Sequence, residues 1–527
     1  MITVRDHATG SLFDRWERLG PKRRRLLEGS WAPVFRNYLL QELPVAQIGA
    51  HFSDDMGRPS KDLTMVLGAL VLQQLHDLTD AETSAAVGFN ILWQYALDIQ
   101  REEDAYVCER TLRSYRRKVI DGGLDQVMFR TLTDKLIASF GVDTSRQRLD
   151  STAIRSAMRG LTRLGTLVET ISRFLRELKR VHPDLVDRLS PTDWTRFVEG
   201  SGLGSFAQSV PSEAALRLPE AADDLYRLVT EFRPTAAAGL ESFQMMERVL
   251  GEQCEIVRDD KGSPDRVRVK APAEMPADNV VNPADPDTGY GGHKGLGYSV
   301  QLMESYSEEG AAERAGFQVI THVAVGKLNV HDQDALLPAI DDTQQRGVGP
   351  EMLLADGQYG SEACVKQAAS RGVEVVSPLR KANGTKQQHL SLEDFEVNEA
   401  GHVVRCPAGH EPLVASGSGS SIRARFEPAL CQECPLRARC PASRKARLLY
   451  TPERVRNRIR RLLEQGAAFR DRYRWRSGIE ATMSRYKRQL NMAHLRVRGL
   501  KAVRYQAVLR ALGLNILRAS AWQLQMN

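Results

Sequence analysis

The stretch 351–379 leaves the chain least freedom in what it can become. EMLLAD is a short apolar run ending in the carboxylate of Asp356, GQYG is a turn, SEACVKQAASRG has a helical composition, and VEVVSPL is a second apolar run. Two such runs joined by a helix read as a βαβ unit, which forces parallel strands and a sheet with helices on its faces. Upstream, RQRLDST at 146–152 reads as a strand ending in a second carboxylate, Asp150, while GYSVQLMES and FQVITHVAV read as two further strands and a helix is expected from Asp332 to Gln345. The order strand, insertion, two strands, helix, strand, helix, strand and a late helix describes a mixed α/β core. Its carboxylates sit at strand ends, where ligands gather in such sheets.

The rest of the 527 residues is arranged around that core. Residues 1–140 read as all-α: Leu63, Leu67, Leu70 and Gln74 share one helical face, and Thr79 with Glu82 makes a capping box. The later helix ERTLRSYRRKVI carries Arg113, Arg116 and Arg117, a pattern that suits contact with DNA and equally suits a solvated surface. Residues 156–284 read as a mainly helical insertion, one long helical stretch reaching about Val249, and residues 386–464 as a second, cysteine-containing insertion. The core is then split into 141–155, 285–385 and 465–520. No run of about 18 apolar residues is present and the first residues lack a secretory pattern, so a cytoplasmic location without membrane contact is expected.

Clustering of cysteines in a cytoplasmic chain points to metal rather than disulfides. Of seven, Cys406, Cys431, Cys434 and Cys440 fall within 35 positions, with a Cys-x-x-Cys pair among them. Four thiolates close a tetrahedral zinc shell, so a small zinc-ribbon-like insertion is expected, with His410 as an alternative fourth ligand. Cys108, Cys254 and Cys364 read as core residues.

The formal net charge of +7 is modest, but basic residues recur densely from Arg454 to Arg510 with aromatics between them. Arginine interleaved with aromatic rings suits phosphate contact and base stacking. Within that run, YRWRSGIEATMSRYK places Tyr473, Arg476, Glu480 and Lys487 at offsets 0, 3, 7 and 14, on one stripe if the segment is a single α-helix. A carboxylate flanked by cations along a stripe can hold a divalent metal while its neighbours hold phosphates. Taken alone, Arg476 and Glu480 are also an ordinary i,i+4 pair.

That spacing, Tyr, two residues, Arg, three residues, Glu, six residues, Lys, resembles the signature of a large group of bacterial insertion-sequence transposases. QRLDSTAIRSAMRGLTRL around Asp150, NPADPDTGYGGHKGLGY around His293, LLADGQYGS around Asp356 and GRPSKDLTMVLGALVLQQ near the amino end resemble the same group, more narrowly its IS-eleven-eighty-two type. The resemblance implies a ribonuclease H-like core with the first Asp on strand one, the second after strand four and the Glu on a later helix. It implies a catalytic triad of Asp150, Asp356 and Glu480 holding two Mg²⁺ (or Mn²⁺), and DNA contacts from Tyr473, Arg476 and Lys487. His293 and Lys294, in a glycine-rich loop, are secondary candidates for DNA contact, and Asp143, Glu304, Asp332 and Asp334 are rival acids. The implied partners are double-stranded DNA, as transposon terminal inverted repeats and as target, and a second copy of the chain in a nucleoid-associated synaptic complex. The implied reaction is cleavage at the transposon end followed by attack of the freed 3′-hydroxyl on target DNA. A related nuclease or domesticated recombinase without strand transfer, and a non-catalytic zinc-containing DNA-binding regulator, are the alternatives.

Overall fold

Strand β1 (Arg146–Ile154) is the hub of the sheet that organises the molecule. It pairs antiparallel with β2 (Gly295–Ser305), which pairs antiparallel with β3 (Ile320–Lys327). On its other side β1 pairs parallel with β4 (Met352–Ala355), which pairs parallel with β5 (Glu374–Val376). The spatial order is therefore β3-β2-β1-β4-β5, with the short strand Gly289–Gly291 added beside β2. The computed structural model describes residues 3–7, 14–51, 60–158, 160–198, 211–257, 266–308, 316–379, 389–417, 420–442 and 444–526.

Alternation along β1 feeds two cores. Leu149, Met303, Leu353 and Ala355 face the helices Leu336–Gln345 and Glu362–Ala369. Ile154, Tyr298, Val300 and Leu302 face the opposite core, which takes in residues from Ala32 to Ala519. That second core joins the sheet to α1 (Leu63–Leu75), α2 (Asp80–Phe89), α3 (Glu109–Asp121), α4 (Leu124–Phe140), α5 (Gly478–Arg488) and α6 (Leu500–Met526). The amino-terminal helices thus share one core with the sheet and the carboxy-terminal helices. The single buried face expected of α1 is too narrow a description, because every residue from Leu63 to Leu75 is buried. It lies inside the bundle, with α6 packed along it. The capping box at Thr79 and Glu82 opens α2 as expected.

α6 also protects the sheet edge. The Asn515 side chain accepts from the Ile320 N–H and donates to the Ile320 carbonyl, both at 2.8 Å, occupying edge groups of β3 that would otherwise recruit another strand. The amino end of α6 is held by the loop before β2: Asp285 accepts from Gly499 N–H at 3.0 Å and Asp287 from Leu500 N–H at 3.0 Å.

Two further cores stand apart from the sheet. The first insertion is a group of separate helices, Arg163–Val181, Pro191–Phe197, Pro211–Phe232 and Glu241–Gln253, where one long helical stretch was expected. Breaking the stretch lets Phe174 meet Phe232 and Phe243 edge to face at 5.2 and 5.8 Å, which a single helix could not do. The insertion ends in an unexpected hairpin, Cys254–Val257 with Arg266–Val269. Cys254 is buried in this core and Cys364, partly buried, packs against the core between the sheet and the helices Leu336–Gln345 and Glu362–Ala369, whereas Cys108 is only partly buried. The cysteine module packs Phe395, Phe426, Leu448 and Tyr450 together beneath a three-stranded sheet and the helix Pro452–Glu464.

The amino-terminal segment is pinned by a buried ion cluster. His7 lies between Asp62 at 2.8 Å and Asp98 at 3.1 Å, Arg36 reaches Asp98 at 2.6 Å, and Asp62 also caps α1. Burial works against the His7 imidazolium, but the two carboxylate bonds outweigh it and push its pKa up to about 9. A raised folded-state pKa gives stability that is full below the unfolded value of about 6.5 and lost as pH rises through the folded value. The stability difference between wild type and His7→Gln in urea denaturation is therefore expected to shrink between about pH 6 and about pH 9.5. A difference constant with pH would show that His7 does not titrate with folding.

Candidate active site

Asp150 lies in the middle of β1 rather than at its end, because the strand continues to Ile154 against β2. The neighbouring strand stops earlier. β4 ends at Ala355, opposite Leu149, so Asp356 emerges beside Asp150 where the parallel pair stops. Asp356 turns back on its own loop, accepting from Gln358 N–H at 2.8 Å. Burial raises the Asp150 carboxyl above the usual range; the Arg476 guanidinium and the Ser151 N–H oppose this, and the charges of Asp356 and Asp332 add to it. Three carboxylates therefore feel one another here.

The third member of the expected triad arrives on α5. Arg476 donates to Asp150 Oδ2 at 2.8 Å and to Glu480 Oε1 at 2.9 Å, so one guanidinium links the two acids. Glu480 remains 66% exposed, open to solvent on the side away from Arg476. The single α-helical stripe expected from Tyr473 to Lys487 is interrupted. The helix Ala467–Tyr473 passes into a 3-10 turn, Arg474–Ser477, before α5 begins at Gly478. The tighter turn still delivers Arg476 to Asp150, while Tyr473 stacks on Phe469 at 5.4 Å and packs beside Tyr306, Leu354 and Val376. Burial, opposed by Arg476 and aided by the negative charges of Asp356 and Asp150, pushes the Tyr473 hydroxyl up to about 12, so it is a neutral donor near neutral pH.

What holds α5 in place is a buried network. Glu304 on β2 is fully buried. It accepts from Arg148 Nε at 2.8 Å, Thr482 Oγ1 at 2.7 Å and Arg518 Nη1 at 3.0 Å. Arg148 also donates to the Trp475 carbonyl at 2.8 Å, fastening the 3-10 turn to β1. Gly478 is required at this approach, since a Cβ there would overlap the Arg148 guanidinium. Glu304 was a rival acid by sequence; its oxygens are occupied by this brace.

Beyond the triad the structure joins Ser151, Gln301 and Tyr359, which local sequence did not single out, to the candidates Lys294 and Asp332. Lys294 Nζ reaches Ser151 Oγ at 3.3 Å and Asp332 at 3.4 Å, and Gln301 donates to Asp332 at 2.9 Å while accepting from the Tyr359 hydroxyl. Tyr359 is fully buried, and burial together with Asp332, Asp150 and Asp356 raises its pKa. Lys487 is half-buried and its pKa is lowered, first by burial and then by Lys294, so the two ammonium groups are neighbours. His293 is exposed at the tip of the adjoining turn.

The three candidate arginines of α3 part company. Arg113 and Arg117 are exposed, the latter 3.6 Å from Asp121, whereas Arg116 is ion-paired to Asp80 and so is held inside the bundle. Arg116 is therefore a packing residue, contrary to the expectation that it lies free for DNA. α3 packs against α1, α2, α4 and α6, apart from the Asp150 cluster.

The four clustered cysteines line one small cavity of about 20 Å³ with His410 beside them. The Cys431 thiol is pushed up by burial and by Cys440, Cys406 and Cys434, so the sulfurs are near neighbours. The closed four-ligand geometry expected of zinc is not formed. Among the described residues no group of three or more His, Cys, Asp or Glu side chains is gathered as metal ligands, at the cysteines or at the carboxylates.

Comparison with known families adds two matches. Residues 405–519 match the family model described as transposase DDE domain, and residues 34–118 match that described as transposase domain (DUF772). Both matching models describe transposase domains. The first contains the cysteines, Tyr473, Arg476, Glu480, Lys487 and most of α6; the second contains α1, α2 and most of α3. Asp150 and Asp356 lie between them. No curated protein and no solved structure matches the chain. Among the described residues no helix is long and apolar enough to cross a membrane.

Because Arg148 is 3% exposed and held by several bonds, it cannot step aside for a new Cβ. Gly478→Ala is expected to lower stability by about 1–3 kcal/mol, the usual cost of overpacking. The control Gly251→Ala, on Glu241–Gln253 with open space around it, is expected to be neutral or stabilising by up to about 1 kcal/mol. Equal urea midpoints for the two variants would contradict the close approach at Gly478.

Proposed function

We propose that the chain is a DNA transposase of the Asp-Asp-Glu type. The observation that carries this reading is the sharing of Arg476 between Asp150 and Glu480, with Asp356 beside Asp150, within a chain bearing two transposase matches. The sheet order β3-β2-β1-β4-β5, with an acid on β1, an acid after β4 and an acid on a later helix, supports a ribonuclease H-like core.

Asp150, Asp356 and Glu480 are the residues that would hold Mg²⁺ or Mn²⁺. Hard oxygen donors suit these ions, and a cation would offset the burial that raises the Asp150 carboxyl and the smaller repulsion from Asp356 and Asp332. The bound ions would supply Lewis-acid stabilisation of the attacking and leaving oxygens of a phosphodiester. Arg476 neutralises Asp150 and Glu480 and orders them in the free protein. Lys294 and Lys487, neighbours of like charge, suit a phosphate, which would relieve their repulsion. Tyr473, kept neutral, can donate to a phosphate oxygen. Exposed Arg113, Arg117 and His293 would contact DNA outside the reacting centre. Cleavage at terminal inverted repeats and transfer to target DNA follow from this assignment, and synapsis of two ends calls for two copies of the chain.

The cysteine cavity would hold a structural Zn²⁺. Four sulfur donors lining one cavity are the ligand type that suits that ion, and the thiols would have to draw together around it on binding. Asp150→Ala, Asp356→Ala and Glu480→Ala are each expected to abolish Mg²⁺-dependent cleavage of a duplex carrying the element's terminal repeat, with binding of that duplex retained. Metal analysis of the same preparations is expected to find one zinc per chain, lost in Cys434→Ser. Undiminished cleavage by any of the three variants would remove that residue from the triad, and zinc-free, fully folded wild type would remove the zinc assignment.

A further inference from the structure

The helix Pro452–Glu464 closes the cysteine module and at the same time grips the loop that carries Asp356. On one side Val455 packs into the module core with Phe395, Phe426 and Tyr450, and Arg461 is ion-paired with Glu393. On the other side Arg460 donates through Nη1 to the Gly360 carbonyl at 2.7 Å and through Nη2 to the Ser377 carbonyl. Glu464 accepts from the Leu379 N–H at 2.8 Å, and Arg456 is paired with Glu362.

These bonds continue to the acid. Ser377 Oγ donates to the Asp356 carbonyl at 2.6 Å, the Tyr359 N–H donates to the same carbonyl at 3.1 Å, and the Gln358 N–H donates to the Asp356 carboxylate. Gly360 permits the closure, since a Cβ there would overlap Ser377 Oγ and meet the Arg460 guanidinium. The grip is therefore continuous from the core of the cysteine module to the backbone of Asp356. The same helix runs directly into Ala467–Tyr473 and the 3-10 turn carrying Arg476, so both halves of the carboxylate site hang from it.

We infer that the cysteine module is a brace for the active site, and that Arg460 is a positioning residue that fixes the Asp356 turn through Gly360 and Ser377. Arginine suits the task because its planar fork satisfies two diverging carbonyls at once, which a lysine ammonium on a flexible stem does not reproduce. The inference rests on Asp356 being part of the proposed metal site, but the brace itself can be read without that assumption.

The test measures hydrogen exchange of the amides 357–360 and binding of Mn²⁺ alone, followed by the loss of the free-ion EPR signal. Arg460→Ala is expected to speed exchange across 357–360 and to weaken Mn²⁺ binding by about 10-fold, the usual scale for loss of an outer partner of a metal ligand. Arg460→Lys is expected to fall between the two. Ser377→Ala, which removes one hydroxyl and serves if Arg460→Ala does not fold, should move both readouts in the same direction. Val455→Ala, which touches only the module core, should speed exchange of the same four amides. A role confined to stability would lower the urea midpoint and leave Mn²⁺ affinity unchanged. Wild-type exchange at 357–360 in Arg460→Ala, or in Ser377→Ala where the former does not fold, would overturn the inference. Asp150→Ala separates the two ideas: unchanged Mn²⁺ binding there would refute the metal assignment, and the exchange result would still decide the brace.

Discussion

A fully buried carboxylate is tolerated only when its lone pairs are filled, and Glu304 fills them with two arginines and a hydroxyl drawn from three distant parts of the chain. Arg148 comes from the first strand, Thr482 from α5 and Arg518 from α6. Removing one partner from such a buried pair typically costs about 3–5 kcal/mol, because the remaining charge stays buried. The network is therefore nearly all-or-none, and it sets the angle at which α5 crosses the sheet. The position of Arg476 over Asp150 follows from that crossing, and that of Glu480 follows from Arg476.

The site above this brace is electrostatically divided. Asp150, Asp356 and Asp332 lie close enough to act on one another, and Lys294, which also reaches Asp332, lies close enough to act on Lys487. Arg476 and the Lys294–Asp332 contact compensate part of this charge in the free protein, while burial holds the Asp150 carboxyl up and, with Lys294 beside it, the Lys487 ammonium down. A divalent cation beside the acids and a polyanion beside the amines would offset both, which is the charge pattern a metal-assisted phosphoryl transfer needs. The preorganisation lies in the protein, since the brace and the grip on the Asp356 turn fix the acids before any substrate arrives.

Much of the core was legible in sequence because it depends on local pattern. The run ending at Asp356, the turn after it and the helix and strand that follow are contiguous, so composition and turn residues suffice. Asp150 was correctly put on a strand but wrongly at its end, since the extent of β1 is set by pairing with β2, some 150 residues away. Lost for the same reason were Gln301 and Tyr359, which join Asp332, one of the rival acids, in a hydrogen-bonded chain only when β2, the Asp356 turn and the segment after β3 are folded together. The 3-10 turn at Arg474–Ser477 escaped because an unbroken α-helix and a helix with one tightened turn share nearly the same periodicity. Arg116 misled for a different reason: a basic helix gives no sign of which arginine meets an internal aspartate.

Asp150, Asp356 and Glu480 make a metal site only if they converge on a cation in the folded protein. Anomalous diffraction from crystals grown with Mn²⁺ measures this directly. The expected result is a manganese peak at the Asp150, Asp356 and Glu480 carboxylates, which would hold the ion, with Glu480 released from Arg476. Manganese bound only elsewhere, with Arg476 still joining Asp150 to Glu480 at saturating metal, would contradict it.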